Sequence, residues 1–456
     1  MNEYEKFLLN KKVEDVPTGI TGDIDINDML FDFQRDIVKW ALRRGRACIF
    51  SDCGTGKTPM QLEWAKHITE HTGGDVLIVA PLAVSAQTIR EGDKFGIKVN
   101  KADQKKDGIS ITNYEQLHKF SRSDFAGIVI DESSILKSFT GKFRNHLINE
   151  WGQLEYKLAC TATPAPNDYM ELGSHSEFTG IMRSSEMLAS FFINDPANVG
   201  KYRVKGHANS PFWKWMSSWA VMIRKPSDLG YDDGAFKLPK LDIIDIITDS
   251  TQPPGGMLFS LDAHTMLERK RARKASIVAR VEEVARIANS TTEPFLVWCD
   301  LNSESAMLTK AINGAVEVKG ADKPEQKEKN LLGFSNGDFR VLVSKPSIAG
   351  WGMNYQHCHN MAFTGLSDSY EQFYQAVRRC WRFGQTECVK CYVVTDRTEG
   401  AVVSNIKRKE LAATQMADNM TQNMSYISRG EIVKDISFKT TYKTTKEMEI
   451  PSWLNV

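Results

Sequence analysis

A strand, a glycine-rich loop and a helix follow one another in residues 46–68, and this succession constrains the fold more than any other part of the sequence. The apolar run RACIF predicts a buried strand, and PMQLEWAKHI predicts a helix. The intervening SDCGTGKT contains Gly54 and Gly56, which let the backbone approach a bound group without a Cβ clash. Loop amides and a helix N-terminus in this arrangement bind phosphate. The sequence therefore predicts an α/β lobe with an anion site at a strand end.

The loop is close to the nucleotide-binding pattern G-x-x-x-x-G-K-[ST], with Ser51 in place of the first glycine. In that pattern the lysine contacts the β- and γ-phosphates and the hydroxyl binds Mg²⁺. The alternative is a glycine-rich turn before an ordinary helix, and the preceding strand favours the nucleotide site. The loop residues predicted to hold ATP are Gly54, Thr55, Gly56, Lys57 and Thr58.

A second apolar strand, GIVI, ends in two adjacent carboxylates, Asp131 and Glu132. A magnesium–ATP site needs one group for the metal shell and one to orient the attacking water. Because adjacent side chains at a strand end point in different directions, we assign Asp131 to Mg²⁺ and Glu132 to the water. The alternative is a pair of solvated acids, which the phosphate loop upstream disfavours.

Charge and cysteine content limit the class of protein. The net charge of +1 provides no global positive field, so a nucleic-acid partner must be held by local patches. The eight cysteines form no regular framework, and the N-terminus has no signal-peptide core. We expect a cytoplasmic protein with free thiols and no membrane span. Cys388-x-x-Cys391 could join the His357–His359 cluster in a zinc site, but CVKCYVV is more typical of a buried strand.

Motifs in the first half of the chain resemble superfamily 2 helicases, most closely the SWI/SNF-related DNA translocases. The stretch MLFDFQRDIVKWAL resembles the upstream glutamine element, which implies that Gln34 contacts adenine. LIVAPLAVSAQTIRE (77–91) resembles the strand and loop that touch a nucleic-acid backbone, and ISITNYEQL (109–117) resembles the next motif of the branch. KLACTATPAPND (157–168) resembles the element that relays the state of the γ-phosphate.

The second half continues the resemblance, which covers about residues 29–410. YEQFYQAVRRCWRFGQ (370–385) matches Q-A-x-x-R-x-x-R-x-G-Q, the last motif of this branch, and the likeness implies that Arg379 and Arg382 are arginine fingers. It also implies that Gly350 and Gln375 contact the nucleotide. A solvated helix face is the alternative for these arginines. The chain departs from the branch at Ser134 and Trp381, where histidines are usual, so coupling between ATP and DNA is expected to differ.

The expected fold class is α/β, with two tandem RecA-like lobes that have parallel sheets and a helical insertion after the first lobe. The alternation of apolar strands and helices agrees with this resemblance. The expected division is 1–169 for the ATP-binding lobe, 170–240 for the insertion and linker, 241–410 for the helicase lobe and 411–456 for a polar tail. In the insertion, tryptophans at helical spacing are expected in the core: Trp213, Trp215 and Trp219.

The resemblance implies an ATP- and Mg²⁺-dependent motor that moves on double-stranded DNA and grips its backbone without sequence specificity. Expected contact points are the loops after Pro81, at Asn113–Tyr114 and after Ser347. ERKRARK (268–274) could contact DNA or the first lobe, with a solvated face as the alternative, and the tail could dock a protein partner. A strand-separating helicase on DNA or RNA and an ATP-gated clamp without movement remain alternatives. The small size suits a bacterial or phage motor.

Overall fold

Two parallel sheets, one in each half of the chain, organise the protein. The computed structural model describes residues 17–433 apart from 103, 105–106, 138–140, 195–201, 250–272 and 350–352. No helix in that described part is long and apolar enough to cross a membrane.

The first lobe alternates strands with helices. Its first six strands are β1 (Arg46–Ser51), β2 (Val76–Ala80), β3 (Val99–Lys101), β4 (Ile109–Asn113), β5 (Gly127–Asp131) and β6 (Tyr156–Thr161). Its helices are α1 (Asp32–Arg44), α2 (Lys57–Thr72), α3 (Ser85–Lys94) and α4 (Lys142–Asn149). The strand, loop and helix predicted over 46–68 are confirmed as β1, its following loop and α2.

The region predicted as a helical insertion contains three helices, a short hairpin and a strand. These are α5 (Leu172–Thr179), α6 (Ser184–Phe191), β7 (Phe192–Asn194), β8 (Tyr202–Val204), α7 (Asn209–Trp219) and β9 (Ala220–Ile223). Trp213, Trp215 and Trp219 are buried in a core of the first lobe, as predicted. The strand β9 was not predicted. It pairs in parallel with β1 and so returns the chain to the first sheet.

The first sheet has the order β3–β4–β2–β5–β6–β1–β9, and every pairing is parallel. Alternate residues of one strand enter separate cores: Phe50 lies in one hydrophobic cluster and Ile49 in the other. Both faces of the sheet are therefore covered, which explains why its central strands are continuous apolar runs.

The second lobe repeats this architecture. Its strands are β10 (Leu241–Thr248), β11 (Phe295–Cys299), β12 (Ala315–Val318), β13 (Val341–Ser344), β14 (Asn360–Thr364) and β15 (Val389–Asp396). Its helices are α8 (Ile277–Asn289), α9 (Asn302–Ala311), α10 (Pro324–Asn336), α11 (Pro346–Ala349), α12 (Tyr370–Val377) and α13 (Gly400–Ser428). The sheet order is β10–β15–β14–β11–β13–β12, again all parallel. The predicted α/β class with two RecA-like lobes is confirmed.

The helix α13 runs through the predicted boundary at residue 410 and returns to the first lobe. Met420 and Met424 are buried in a first-lobe core, and Arg224 of that lobe lies 2.6 Å from the Asp418 carboxylate. The helix therefore contacts both lobes and connects them. The rest of the predicted tail, 434–456, lies outside the described residues. Its proposed partner stays a prediction, as does the division into domains.

The basic run ERKRARK is described only at its end, where Arg273 contacts residues of the second lobe. Its guanidinium is buried in the second lobe, 2.5 Å from the Asp300 carboxylate and 3.8 Å from that of Glu399. For Arg273, the alternative of a solvated face is wrong, and a contact of the run with DNA or the first lobe stays a prediction. Because carboxylates surround it, the Arg273 guanidinium can be buried, and the high density of basic residues in the run does not predict that burial.

Candidate active site

The loop between β1 and α2 is shaped by its two glycines. Gly54 and Gly56 both have φ of 87°, in the left-handed region that favours glycine. A Cβ on Gly56 would lie 2.1 Å from Nε2 of Gln34, and one on Gly54 would lie 2.9 Å from the backbone nitrogen of Phe383. The loop is thus enclosed by α1 on one side and by the second lobe on the other.

Ser51 supports the loop although the pattern has glycine there. Thr55 Oγ1 donates to the carbonyl of Asp52 at 2.6 Å, and the hydroxyls of Ser51 and Thr55 share a further hydrogen bond. Because the Thr55 proton is already used, Ser51 is the donor in that second bond. A glycine could not make this contact, so the substitution ties the start of the loop to its middle.

The lysine of the motif lies across the same loop. Lys57 Nζ donates to the carbonyl oxygens of Ser51 at 2.8 Å and of Asp52 at 3.2 Å. Lys57 and the adjacent Thr58 both line a cavity of about 480 Å³ between the lobes. Lys57 is thus placed at the cavity, and its contact with phosphate stays a prediction.

Two buried carboxylates face this cavity from the end of β5. Gln61 Nε2 donates to Asp131 Oδ1 at 2.7 Å, and Thr161 Oγ1 donates to Glu132 Oε2 at 3.5 Å. Glu132 has φ of 53°, a strained conformation for this residue type. The two acids thus have different hydrogen-bond partners, Gln61 and Thr161, and their divergence and separate roles stay predictions.

Burial determines how these acids ionise. Burial, and then the neighbouring Asp131 carboxylate, raise the pKa of Glu132 to about 7. Burial also raises the pKa of Asp131, and the Gln61 hydrogen bond and Lys57 act against that shift. A group with a pKa near neutrality can accept a proton at physiological pH, which suits a base for the attacking water.

The raised pKa gives a stability prediction for Glu132→Gln. Because the native carboxyl holds its proton to a higher pH than the unfolded one, wild-type stability falls as pH rises from about 4.5 towards 7. The glutamine side chain of the variant does not ionise, so the variant does not lose stability in this way as the pH rises. We therefore expect a higher melting temperature for the variant at pH 8 and no difference below pH 4.5. Thermal unfolding without nucleotide measures this, with the exposed Glu155→Gln as control; an equal difference at both pH values would contradict it.

Two arginines of the second lobe line the same cavity. Arg379 donates to the Gln375 carbonyl at 2.9 Å and to the Met353 carbonyl at 3.1 Å, and Arg382 donates to the latter at 3.2 Å. Only 3% of Arg379 is exposed, so the alternative of a solvated helix face is wrong. Burial, and then Arg379, lower the pKa of Arg382 to about 10. Two cations facing one cavity favour an anion between them.

Both glutamines of the predicted site are engaged within the protein. Gln34 lines the cavity, but its Oε1 accepts from the Phe31 amide at 3.0 Å and its Nε2 donates to the Thr55 carbonyl at 2.8 Å. Gln375 does not line the cavity: its Oε1 accepts from Arg379 Nη2 at 3.0 Å. Gln375 therefore orients an arginine instead of facing the predicted nucleotide.

The structure brings most of the predicted residues into one cavity. Those that line it are Gln34, Gly54, Gly56, Lys57, Thr58, Asp131, Glu132, Arg379 and Arg382. Thr55 is buried within the loop, and Gly350 lies outside the described residues. The donor set fits a magnesium nucleotide: cations and loop amides for phosphate, and a hydroxyl with a carboxylate for the metal. Direct nucleotide contact by each residue stays a prediction.

Sequence reasoning missed an aromatic group at the mouth of the cavity. Phe31, Phe236 and Phe383 line it, and the ring centroids of Phe236 and Phe383 lie 4.7 Å apart. They come from the residue before α1, from the linker before β10 and from the last motif. An aromatic wall of this kind suits a purine base. No local pattern unites three residues so far apart in the chain.

A histidine near the two acids was also missed. His175 on α5 is buried, and its Nε2 lies 3.1 Å from the hydroxyl of Ser133. Burial lowers the pKa of His175 to about 4, so the ring is neutral at physiological pH. An imidazole from another helix thus supports the motif at which Ser134 replaces the usual histidine.

The cysteines give no sign of a metal centre. The described residues contain no group of three or more His, Cys, Asp or Glu side chains that could hold a metal ion. Cys391 is buried in β15, and Cys388 Sγ donates to the Asp242 carboxylate at 3.4 Å. These contacts agree with the strand interpretation of CVKCYVV.

Comparison with known families bears on the second lobe. Residues 277–384 match the family model described as the helicase conserved C-terminal domain. The second lobe is thus similar to helicase C-terminal domains. The match extends from α8 through Arg379 and Arg382, and it supports a helicase-type protein of superfamily 2. No curated protein matches the chain. A helicase C-terminal domain implies a nucleic-acid partner, and the helicase family typically uses ATP with Mg²⁺.

Proposed function

We propose that the chain is an ATP-dependent motor of the SWI/SNF-related branch that hydrolyses ATP between its lobes and moves on or remodels double-stranded DNA. One observation carries the proposal: Glu132 lines both the candidate nucleotide cavity and a second cleft of about 680 Å³ between the lobes. Glu132, together with Gln87, thus borders both the proposed site of hydrolysis and a surface on which both lobes could hold DNA.

The second cleft contains the loops that the sequence nominates for nucleic-acid contact. Pro81, Leu82 and Tyr114 line it from the first lobe, and Ser347 and Ile348 line it from the second. Tyr114 is buried, and its phenol donates to the Asp131 carbonyl, so this residue supports the metal-binding acid instead of the track. A movement of one lobe relative to the other can move the protein along DNA only if each lobe holds the DNA, so contact points on both lobes are required.

The cleft has no excess of either charge. Its basic residues are Arg90, Lys101, Lys137 and Lys327, and its acidic residues are Glu115, Glu132, Glu328 and Glu371. Lys101 lies 4.0 Å from the Glu328 carboxylate across the two lobes. We infer that the backbone of DNA is held by loop amides and a few cations, which predicts a modest dependence of affinity on salt.

The chemistry assigned to the nucleotide cavity uses residues of both lobes. Lys57 and the loop amides bind the phosphates, while Thr58 and Asp131 would hold Mg²⁺, which neutralises phosphate charge when bound. Glu132 orients a water molecule and accepts its proton. Arg379 and Arg382 stabilise the charge that develops on the γ-phosphate.

A polar contact across the lobes provides a route for coupling. Glu371, at the start of α12, pairs with Lys137 and accepts from Thr163 Oγ1 at 3.5 Å. Lys137 follows the acids in sequence, and Thr163 follows β6, where the resemblance places the γ-phosphate relay. A shift of either loop on hydrolysis would therefore change the contact with the second lobe.

Glu132→Gln separates binding from hydrolysis in this account. The amide keeps the shape of the side chain and cannot accept a proton, so we expect normal ATP affinity and turnover reduced by about 10²–10⁴-fold. Equilibrium binding of a fluorescent ATP analogue and steady-state phosphate release measure the two effects. Loss of nucleotide binding would contradict the assignment of Glu132 to the water.

Displacement of a third DNA strand distinguishes the candidate functions. A duplex motor should displace a triplex-forming strand with ATP and leave the underlying duplex intact. Separation of that duplex would favour the strand-separating helicase. Slow hydrolysis with neither product would favour the nucleotide-gated clamp. Lys57→Ala controls for displacement without hydrolysis.

A further inference from the structure

Arg378 makes its polar contacts with the opposite lobe. It follows α12 in the second lobe, yet its Nη2 lies 2.7 Å from Asp52 Oδ2 and donates to the Cys53 carbonyl at 2.8 Å. Both acceptors belong to the glycine-rich loop of the first lobe. Arg378 is only 2% exposed, and with Asp52 it lines a cavity separate from that of the nucleotide, with a volume of about 800 Å³. Its role must therefore differ from that of Arg379.

The second lobe also approaches Asp52 through a tyrosine. The phenol of Tyr374 donates to Asp52 Oδ1, the same oxygen that accepts from the Cys53 amide at 2.6 Å. Burial, and then the Asp52 carboxylate, raise the pKa of Tyr374, so the phenol keeps its proton. Asp52 is thereby held by two residues of one helical turn.

Aromatic rings fix the Arg378 guanidinium in place. Its central carbon lies 4.9 Å from the ring centroid of Trp381 and 5.8 Å from that of Tyr374. Trp381 Nε1 donates to the Pro239 carbonyl at 2.8 Å, in the linker between the lobes. A guanidinium between two rings loses little further freedom when it pairs with a carboxylate.

Asp52 connects this contact with the lysine of the phosphate loop. Its side chain binds Arg378 and Tyr374, while its backbone carbonyl accepts from Lys57 Nζ at 3.2 Å and from Thr55 Oγ1 at 2.6 Å. A displacement of Asp52 would therefore move the carbonyl that positions Lys57. The contacts therefore link the loop, through Asp52, to the second lobe.

We propose that Arg378 is a positioning residue that clamps Asp52 and so makes the active shape of the phosphate loop depend on closure of the two lobes. This proposal rests on the proposed function for its kinetic consequences. Arg378 occupies a variable position of Q-A-x-x-R-x-x-R-x-G-Q, and Trp381 stands where the branch usually has histidine. Two residues of the clamp therefore stand outside the fixed positions of the motif: Arg378 is at a position that the motif leaves open, and Trp381 is at a position where this chain departs from the branch.

Kinetic variants test the clamp in the full-length protein with saturating duplex DNA. Arg378→Ala and Asp52→Asn should each lower kcat/KM for ATP by about 10–100-fold, because a loop displaced by about 1 Å misplaces the reacting groups. The double variant should lose no more than the worse single variant, since both remove one interaction. Arg378→Lys should recover part of the loss. Arg286→Ala, an exposed arginine of α8 that pairs with Glu283, is the matched control.

Hydrogen exchange provides a readout that does not depend on turnover. Amide exchange in a peptide covering 46–56 should become faster in Arg378→Ala and in Asp52→Asn, and stay unchanged in the control. If Arg378→Ala unfolds, Asp52→Asn decides the outcome, because the amide conserves the shape of the carboxylate.

The two readouts separate this proposal from the proposed function. Unchanged exchange and unchanged kcat/KM in an active protein would overturn the clamp and leave the motor intact. Losses that add fully in the double variant would also overturn it. The wild-type protein could show no ATP hydrolysis while amide exchange is faster in Arg378→Ala and Asp52→Asn. That result would support the clamp and overturn the motor.

Discussion

Lys57→Ala is expected to abolish ATP hydrolysis while the fold is kept. Lys57 Nζ donates to two loop carbonyls and lines the cavity that also contains Asp131, Glu132 and Arg379. No other lysine of the glycine-rich loop could replace it. Removal of one preorganised donor to developing charge lowers rates by about 10²–10³-fold, and the lysine adds a full positive charge to that effect.

The measurement for Lys57→Ala is steady-state phosphate release at saturating ATP and DNA. The exposed Lys98→Ala serves as a control for the loss of a lysine from the same lobe. Both variants should unfold at a temperature close to that of the wild type, since Lys57 is only partly buried. Residual turnover above about a tenth of the wild-type rate would remove Lys57 from its assigned role.

Arg379→Ala and Arg382→Ala are expected to reduce turnover by about 10³–10⁵-fold each. The two guanidinium groups face one cavity with the Lys57 ammonium, and proximity to Arg379 contributes to the lowered pKa of Arg382. An anionic transition state would relieve this repulsion, so the arginines stabilise it more than they stabilise the empty protein.

The arginine variants need a test that separates catalysis from folding. Arg379 donates hydrogen bonds to Gln375 and Met353, so its removal also affects the second lobe. Circular dichroism and a melting curve check the fold, and the exposed Arg408→Ala gives the effect of losing an arginine from that lobe. Wild-type rates in both variants would mean that the lobes do not close over the nucleotide as proposed.

Local sequence was enough to predict the parallel α/β architecture and to nominate the first-lobe residues that line the candidate cavity. The strands β1, β5 and β6 are mainly apolar, and each is followed by polar residues that the chain keeps at the same edge of a parallel sheet. The second-lobe arginines required a motif match, because nothing in the composition of 370–385 indicates burial. The family resemblance, and not hydrophobic periodicity, therefore indicated that these arginines belong to the site.

Contacts between distant segments account for what was not predicted. The helix α13 buries Met420 and Met424 with polar residues between them, so its apolar stripe is too narrow to distinguish it from a polar tail. Arg378 and Asp52 are ordinary surface residue types until the lobes meet. Likewise, the left-handed φ of Glu132 depends on its surroundings and not on its neighbours in sequence.

The steady-state ATPase rate with and without duplex DNA tests the central claim most directly. The protein should be assayed at fixed low salt with duplexes of increasing length, single-stranded DNA and RNA, beside Lys57→Ala. We predict a rate that rises with duplex DNA and with its length, and that falls to background in the variant. Stimulation by single strands or RNA alone, or no stimulation by any nucleic acid, would contradict a motor that moves on double-stranded DNA.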